Sequence, residues 1–173
     1  FGRNERTPAT DGMFGWHSGT GPDVDKRTGH TFVNNLLVDN CSHPRPLLFV
    51  WQPDRFYERN YKPQLTQTDG NDFVRISAAE TIPLIFWTQA GEKAQQESFM
   101  TTEGISEIYP EFGAANSFYP GASVFKSMDL KNFELLKNYP GLKDGVALPP
   151  EISRLLNAKT TVAPYTGAYP PVL

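Results

Sequence analysis

The chain has 173 residues, of which 39% are hydrophobic and 20% are charged, and its formal net charge is -3. These proportions fit a folded domain with a core of its own and exclude wholesale disorder. A net negative charge argues against a nucleic-acid partner, whose phosphates require a basic surface. No apolar run approaches the roughly 20 residues that a membrane-spanning helix needs.

The aromatic content of 13%, with 14 glycines and 15 prolines, indicates a β protein with many turns or a protein that stacks aromatic rings on sugars. The single cysteine, Cys41, excludes an internal disulfide bond, and we expect it to be a small buried apolar residue. Because the chain starts at Phe1 in a polar run without a secretory leader, we expect that a longer precursor contained it.

Short apolar runs predict the strands of an all-β protein. The first predicted strand spans residues 31–40, where Phe32, Asn34, Leu36 and Val38 fall on one side at a period of two. The other predicted strands are Leu47–Trp51, Phe73–Ile76 and Ile82–Trp87, with Met13–Trp16 as a further short one. Since no amphipathic helix separates these runs, they cannot form βαβ units, and they are either hairpins of a sandwich or successive rungs of a solenoid.

The pair Asn34 and Asn35 in the middle of the first predicted strand favours the solenoid. A solenoid corner needs a residue that tolerates left-handed backbone geometry, and asparagine does so at low cost. Its amide can also form hydrogen bonds with the rungs above and below. We therefore predict that asparagines form a ladder at one corner of a stack of strands.

The second half of the chain is more polar than the first, and its polar segments predict short helices. We expect helical turns in residues 91–99 and 102–108, and a helix over residues 149–156, which proline and glutamate open and in which Ile152, Leu155 and Leu156 share a face. We predict that residues 1–87 are the C-terminal rungs and that residues 88–173 are an irregular cap or lateral wrap closing the same domain.

The segment Gly29–Asn40, in which an apolar strand runs into a turn containing asparagine, resembles a rung of the right-handed parallel β-helix proteins. Residues 69–87 are similar to the final rungs of these proteins, and residues 127–135, 148–149 and 167–170 resemble their endings. The likeness extends over most of the chain as loose motifs. It implies a secreted, periplasmic or cell-surface bacterial protein of a class that includes polysaccharide lyases, glycoside hydrolases and members without catalytic activity.

His17, beside Trp16 in a loop flanked by glycines, is the candidate catalytic base. A histidine next to a tryptophan suits proton abstraction beside a ring on which a sugar stacks. The alternative is a turn histidine that forms a hydrogen bond with the backbone. The resemblance implies that the main active site of an enzyme in this class lies on central rungs outside the chain.

Residues 51–62 interleave aromatic and cationic side chains, which suit an acidic polysaccharide because rings stack on sugars and guanidinium groups pair with carboxylates. The candidate substrate-binding residues are Trp51, Arg55, Tyr57, Arg59 and Lys62, together with Trp16. A long loop that carries these side chains only for solubility and packing is the alternative.

No residue is assigned as a metal ligand, although calcium is a candidate cofactor. Asp23 and Asp25 resemble part of a calcium loop, but the glycine and the closing glutamate of that loop are missing, which favours a solvated acidic turn. Asp69, Asn71 and Asp72 offer oxygen ligands with the same reservation.

The sequence therefore predicts a carbohydrate-active protein, with a polysaccharide lyase that acts on an acidic glycan as the first hypothesis. A non-catalytic β-helix that binds glycan or serves as a surface structure is the second, and a small sandwich domain is the third. A solenoid would also need a companion chain or an N-terminal segment to supply its preceding rungs.

Overall fold

A computed structural model describes residues 29–40, 45–50, 63–77, 81–88, 96–129, 131–155 and 166–167. These residues are all-β in class, with ten short strands and two short helices. The strands are β1 (His30–Val33), β2 (Leu36–Asp39), β3 (Leu48–Val50), β4 (Leu65–Asp69), β5 (Asp72–Arg75), β6 (Ile85–Thr88), β7 (Gln96–Phe99), β8 (Ser117–Pro120), β9 (Phe125–Ser127) and β10 (Asn132–Leu135). The helices are α1 (Thr102–Ser106) and α2 (Pro150–Leu155).

Strands that are distant in sequence pair in parallel. β1 pairs with β4, β2 with β5, and β3 with β6, so that three consecutive strands lie on the next three in the same order. The first register partners in these pairs are His30 with Leu65, Leu36 with Asp72, and Leu48 with Ile85. We call β1–β3 the first layer and β4–β6 the second layer.

A third set of contacts continues the stack beyond the second layer. β8 pairs in parallel with the other side of β5, and Phe112 forms a parallel bridge with Thr68 of β4. In the sheet that contains β3 and β6, β7 pairs with β6 in antiparallel orientation, so the parallel order ends at β6. The remaining two strands, β9 and β10, form a separate antiparallel pair.

The chain turns between the first two strands of each layer. Asn34 adopts left-handed geometry with φ 58°, and Gly70, which occupies the same place in the second layer, has φ 60°. The left-handed backbone conformation is energetically unfavourable for most residues, whereas asparagine and glycine adopt it at little energetic cost. The prediction of a corner at the asparagine pair is therefore confirmed, whereas the single strand over residues 31–40 is wrong because the corner divides it into β1 and β2.

The strand β5 is buried on both of its faces. Phe73 belongs to an apolar cluster with Trp87, Phe112 and Ile105, whereas Val74 packs in a second cluster that contains residues after 120. Successive side chains of a strand point to opposite faces, so the second cluster covers the other side of the β2–β5–β8 sheet. Described residues between 119 and 142 thus pack against this face of the sheet.

Local predictions in the second half met mixed outcomes. Helix α1 lies within residues 102–108 and helix α2 within residues 149–156, as expected. The helix over residues 91–99 is wrong where the structure describes it, because Gln96–Phe99 is strand β7. These polar residues are extended because the edge of β6 supplies them with backbone hydrogen-bond partners.

Candidate functional site

All residues that the sequence assigns to catalysis or substrate binding lie outside the described part of the chain. They are His17, Trp16, Trp51, Arg55, Tyr57, Arg59 and Lys62. Their roles remain predictions. The polar side chains that the described residues bring together lie instead at the corner between the first and second strands of each layer.

Three asparagines form a hydrogen-bonded ladder at this corner. The backbone N–H and the side-chain Nδ2 of Asn35 both donate to Oδ1 of Asn71, each at 2.9 Å. Asn71 repeats the arrangement with Oδ1 of Asn116, at 3.1 Å from its backbone nitrogen and 2.8 Å from Nδ2. The predicted bonding of asparagine amides between stacked strands is confirmed.

The ladder ends at Asn116 in the described residues. Its Nδ2 donates to the backbone oxygens of Thr68 and Gly113, both at 2.7 Å. The side-chain amide hydrogens of Asn116 therefore bind one carbonyl group of β4 and one of the segment just before Asn116. The ladder has a direction, since Asn35 donates to Asn71 and Asn71 donates to Asn116.

Asn34 connects the same corner to the C-terminal part of the chain. Its Nδ2 donates to the carbonyl oxygen of Val146 at 2.8 Å, and its Oδ1 accepts from the N–H of Val146 at 2.7 Å. The N–H of Gly167 donates to the carbonyl oxygen of Asn34 at 2.9 Å. Asn34 thus holds two distant segments on the first layer, Val146 through its side-chain amide and Gly167 through its main-chain carbonyl oxygen.

A second anchor is the buried carboxylate of Asp72, the first residue of β5. Its Oδ2 accepts from the hydroxyl groups of Tyr139 at 2.8 Å and Thr166 at 2.5 Å. All three residues are almost fully buried. The cluster, which we call the Asp72 cluster, joins β5 to residues that follow it by 67 and 94 positions.

Burial perturbs the pKa of ionisable side chains in and beside the Asp72 cluster. Desolvation raises the pKa of Asp72 to about 6; the hydrogen bonds from Thr166 and Tyr139 oppose this shift and the nearby charge of Asp144 adds to it. Burial, followed by the charge of Asp72, raises the pKa of Tyr139 well above its ordinary value. Burial and a hydrogen bond to Asp144 raise the pKa of Tyr119 to about 12.

The candidate calcium ligands are used for hydrogen bonds within the protein. Oδ1 of Asp69 accepts from the backbone N–H groups of Gly70 at 3.1 Å and Ala115 at 3.0 Å. Asn71 belongs to the ladder and Asp72 to its own cluster. In the described ranges, no three histidine, cysteine, aspartate or glutamate side chains are grouped so that they could hold a metal ion. Asp23 and Asp25 lie outside these ranges.

A buried arginine fixes the far end of β2 and β5. Nη1 of Arg75 donates to Oδ2 of Asp39 at 2.8 Å, and Nη2 lies within hydrogen-bond distance of the carbonyl oxygens of Arg45, Ile82 and Pro83. The Arg75 side chain is 2% exposed. Its donors satisfy backbone oxygens where the chain turns toward the third strand of the layer.

The described cluster is suited to holding segments together. Each ladder amide and Oδ2 of Asp72 have protein partners, and Asp72 is inaccessible to a polymeric substrate. The Asp72 cluster has no local sequence signal because its members are far apart along the chain. The layer repeat did have one, since Asn34–Asn35 and Gly70–Asn71 are 36 residues apart.

No described helix is long and apolar enough to cross a membrane. The chain matches no protein-family model, and neither a curated protein nor a solved structure resembles it at a significant level.

Proposed function

We propose that this chain forms the last turns of a right-handed parallel β-helix that belongs to a secreted carbohydrate-active protein. The observation that carries the proposal is the repeat of three strands in the same order, with Leu36 in register with Asp72 and an asparagine ladder beside this pair. A sandwich built of hairpins would place neighbouring strands antiparallel. Parallel stacking of β1–β3 on β4–β6 favours a solenoid.

Within this class, we propose that the protein is a polysaccharide lyase for an acidic glycan. The support is the resemblance of the sequence and the cationic and aromatic side chains of residues 51–62. In such a reaction a base takes the proton beside the uronic carboxylate, and the electron pair forms a carbon–carbon double bond as the carbon–oxygen bond breaks; the leaving glycosidic oxygen keeps the bonding electrons and takes a proton from water. We propose that His17 takes the proton and that Trp16 stacks on the sugar.

We propose roles for the cationic residues from the same chemistry. Arg55, Arg59 and Lys62 neutralise the carboxylates of the glycan, while Trp51 and Tyr57 contact its rings. Neutralising the carboxylate makes the adjacent proton easier to remove, so these contacts would aid both binding and elimination. Preceding rungs would supply the main part of the active site.

A non-catalytic role in glycan binding or surface structure is the second candidate. The observation that favours it is that the buried carboxylate of Asp72 and the amides of the ladder contact other parts of the protein. These contacts stabilise the end of a stack whether or not the stack carries out a reaction.

Incubation of the full-length parent protein, which includes the proposed preceding rungs, with a panel of uronate polysaccharides tests the proposal. A lyase produces unsaturated ends that absorb ultraviolet light, and we expect His17→Ala to abolish this absorbance. Arg55→Ala should weaken glycan binding, whereas Lys137→Ala, which removes the same charge from an exposed turn, should leave it unchanged. Binding without product would favour the second candidate, and absence of both would contradict the carbohydrate function.

A further inference from the structure

Residues 139–146, which we call the 139–146 turn, lie over the first residue of β5. The hydroxyl of Tyr139 donates to Oδ2 of Asp72, and a Cβ atom added at Gly141 would lie 2.2 Å from the same oxygen. The backbone of the turn is therefore in direct contact with the buried carboxylate. The N–H of Asp144 donates to the carbonyl oxygen of Gly141 at 3.3 Å, which folds the turn back toward this contact.

A second tyrosine brings Asp144 to the same place. The hydroxyl of Tyr119, in β8, donates to Oδ2 of Asp144. The ring of Tyr119 packs edge-on against the ring of Tyr139, with centroids 5.6 Å apart. Since Tyr139 binds Asp72, the two tyrosines hold the two carboxyl groups side by side, and the side chains of Asp72 and Asp144 are hydrogen-bonded to each other.

A hydrogen bond between two carboxyl groups requires a proton. Ionised carboxylates have only acceptors, so the bond forms only when one member of the pair is protonated. Oδ2 of Asp72 accepts from Tyr139 and Thr166, whereas its buried Oδ1 receives no hydrogen bond from an N–H or hydroxyl group of the described residues. A proton on the pair gives this oxygen a partner and removes one of two adjacent like charges.

The groups around the pair also favour a proton. The ionisable groups that face Asp72 in the described residues are Tyr139 and Asp144 from the 139–146 turn and Tyr119 from β8, while β2 contributes the apolar Leu36. Burial raises the pKa of both tyrosines, so they remain donors. Burial is also the main reason why the pKa of Asp72 rises to about 6, and the charge and hydrogen bond of Asp144 act in the same direction.

We propose that Asp72 and Asp144 share a single proton and that this proton fastens the 139–146 turn to β5. The turn is held most firmly in acid, because loss of the proton leaves two carboxylates in contact. Val146 of the same turn binds the side chain of Asn34, so the effect extends to the corner of the first layer. The fold thus contains a pH-sensitive clasp. The clasp concerns packing within this chain and does not depend on the proposed reaction with polysaccharide.

Titration of the aspartate carboxyl carbons, followed by nuclear magnetic resonance in the full chain, tests the shared proton. The signals of Asp72 and Asp144 should change together near pH 6, because a coupled pair takes up its proton as one unit. Asp144→Asn removes the like charge and supplies an amide donor, so the midpoint of Asp72 should fall by about one pH unit. Asp129→Asn removes the same charge from an exposed position and should leave the midpoint unchanged.

The stability of Asp144→Asn gives a second measurement with a sign that a purely structural role would not produce. In urea at about pH 8 its unfolding equilibrium constant should be about tenfold smaller than that of the wild type, because the repulsion between the carboxylates is gone. At about pH 4.5 the two constants should agree within about twofold, since the wild type then holds its proton. A carboxylate that served only as the acceptor of Tyr119 would make the variant less stable at both pH values.

Independent titration of the two carboxyl carbons in the wild type would overturn the proposal, and this result needs no variant to fold. A midpoint of Asp72 that does not respond to Asp144→Asn would overturn it as well. The wild-type titration is repeated with EDTA and with calcium chloride, and we expect identical curves. A titration that calcium shifts or abolishes would assign the pair to a cation and so contradict the shared proton.

Discussion

Oδ1 of Asn71 accepts two hydrogen bonds from Asn35, one from its backbone N–H and one from its side-chain Nδ2. The two residues occupy the same corner of adjacent layers, 36 positions apart. One acceptor oxygen therefore binds both the backbone N–H group at the corner and the side-chain amide of the same residue. The same geometry between Asn71 and Asn116 shows that the corner is built by repetition.

Replacement of the central asparagine should destabilise the protein most. Asn71→Ala removes the acceptor of Asn35 and the Nδ2 group that donates to Oδ1 of Asn116 and to the carbonyl of Phe32, and so leaves polar groups of this corner with fewer partners. We expect a loss of about 2 to 4 kcal/mol in the free energy of unfolding, measured with urea. Asn138→Ala, at an exposed position, is the control and should change it by less than about 0.5 kcal/mol.

The charge on Asp72 should make stability depend on pH. Its folded-state pKa of about 6 exceeds the ordinary 3.8, so the folded protein holds the proton more tightly than the unfolded chain. The stabilisation from the bound proton is present below pH 3.8 and is lost as pH rises through about 6. The loss at neutral pH amounts to about 3 kcal/mol.

Asp72→Asn isolates this contribution because an amide of the same shape carries no charge and retains an acceptor for Tyr139 and Thr166. Subtracting the unfolding free energy of the wild type from that of the variant should give a value that increases by about 3 kcal/mol from acidic to neutral pH. A difference that does not change with pH would show that Asp72 ionises normally.

The packing around the same carboxylate predicts the effect of a single methyl group. A Cβ atom at Gly141 would overlap Oδ2 of Asp72 and the hydroxyl of Tyr139, two groups that are fixed by their hydrogen bond. We expect Gly141→Ala to lower the free energy of unfolding by about 1 to 3 kcal/mol, as overpacking does elsewhere. In Gly104→Ala the new Cβ makes ordinary contacts at 3.6 and 3.7 Å, so thermal unfolding should show no destabilisation.

Arg75 offers a comparison of a buried and an exposed ion pair. Arg75→Met removes the Nη1 group that donates to the carboxylate of Asp39 and the Nη2 group that contacts three carbonyl oxygens, and we expect a loss of about 3 kcal/mol. Lys126→Ala breaks the exposed pair with Glu134 and should cost less than about 1 kcal/mol. Equal effects in urea unfolding would contradict the structural role of Arg75.

The apolar strands and the asparagine corner were predictable because their signals are local. Leu48–Val50, Asp72–Arg75 and Ile85–Thr88 overlap three of the predicted apolar runs, and left-handed geometry at Asn34 follows from the properties of the residue. The strand Leu65–Asp69 was missed because its threonines and glutamine carry little apolar signal. It is extended because β1 supplies its backbone partners.

The buried cluster depended on long-range contacts that no local pattern encodes. Asp72 follows a turn sequence whose local pattern favours a solvated acidic turn over a calcium loop, and neither expectation includes the packing of Tyr139 and Thr166 on its carboxylate. The exposed positions of Ile152 and Leu155 in α2 likewise show that a shared apolar face does not establish burial. Contacts with residues distant in sequence determine both the bonding of Asp72 and the burial of the α2 side chains.

Parallel stacking of the layers can be measured most directly through nuclear Overhauser effects between β2 and β5. We predict contacts between the side chains of Val38 and Val74 and between Leu37 and Phe73, the register partners. Contacts that place β2 beside β3 in antiparallel orientation, without those between β2 and β5, would contradict the stacked arrangement and the carbohydrate function inferred from it.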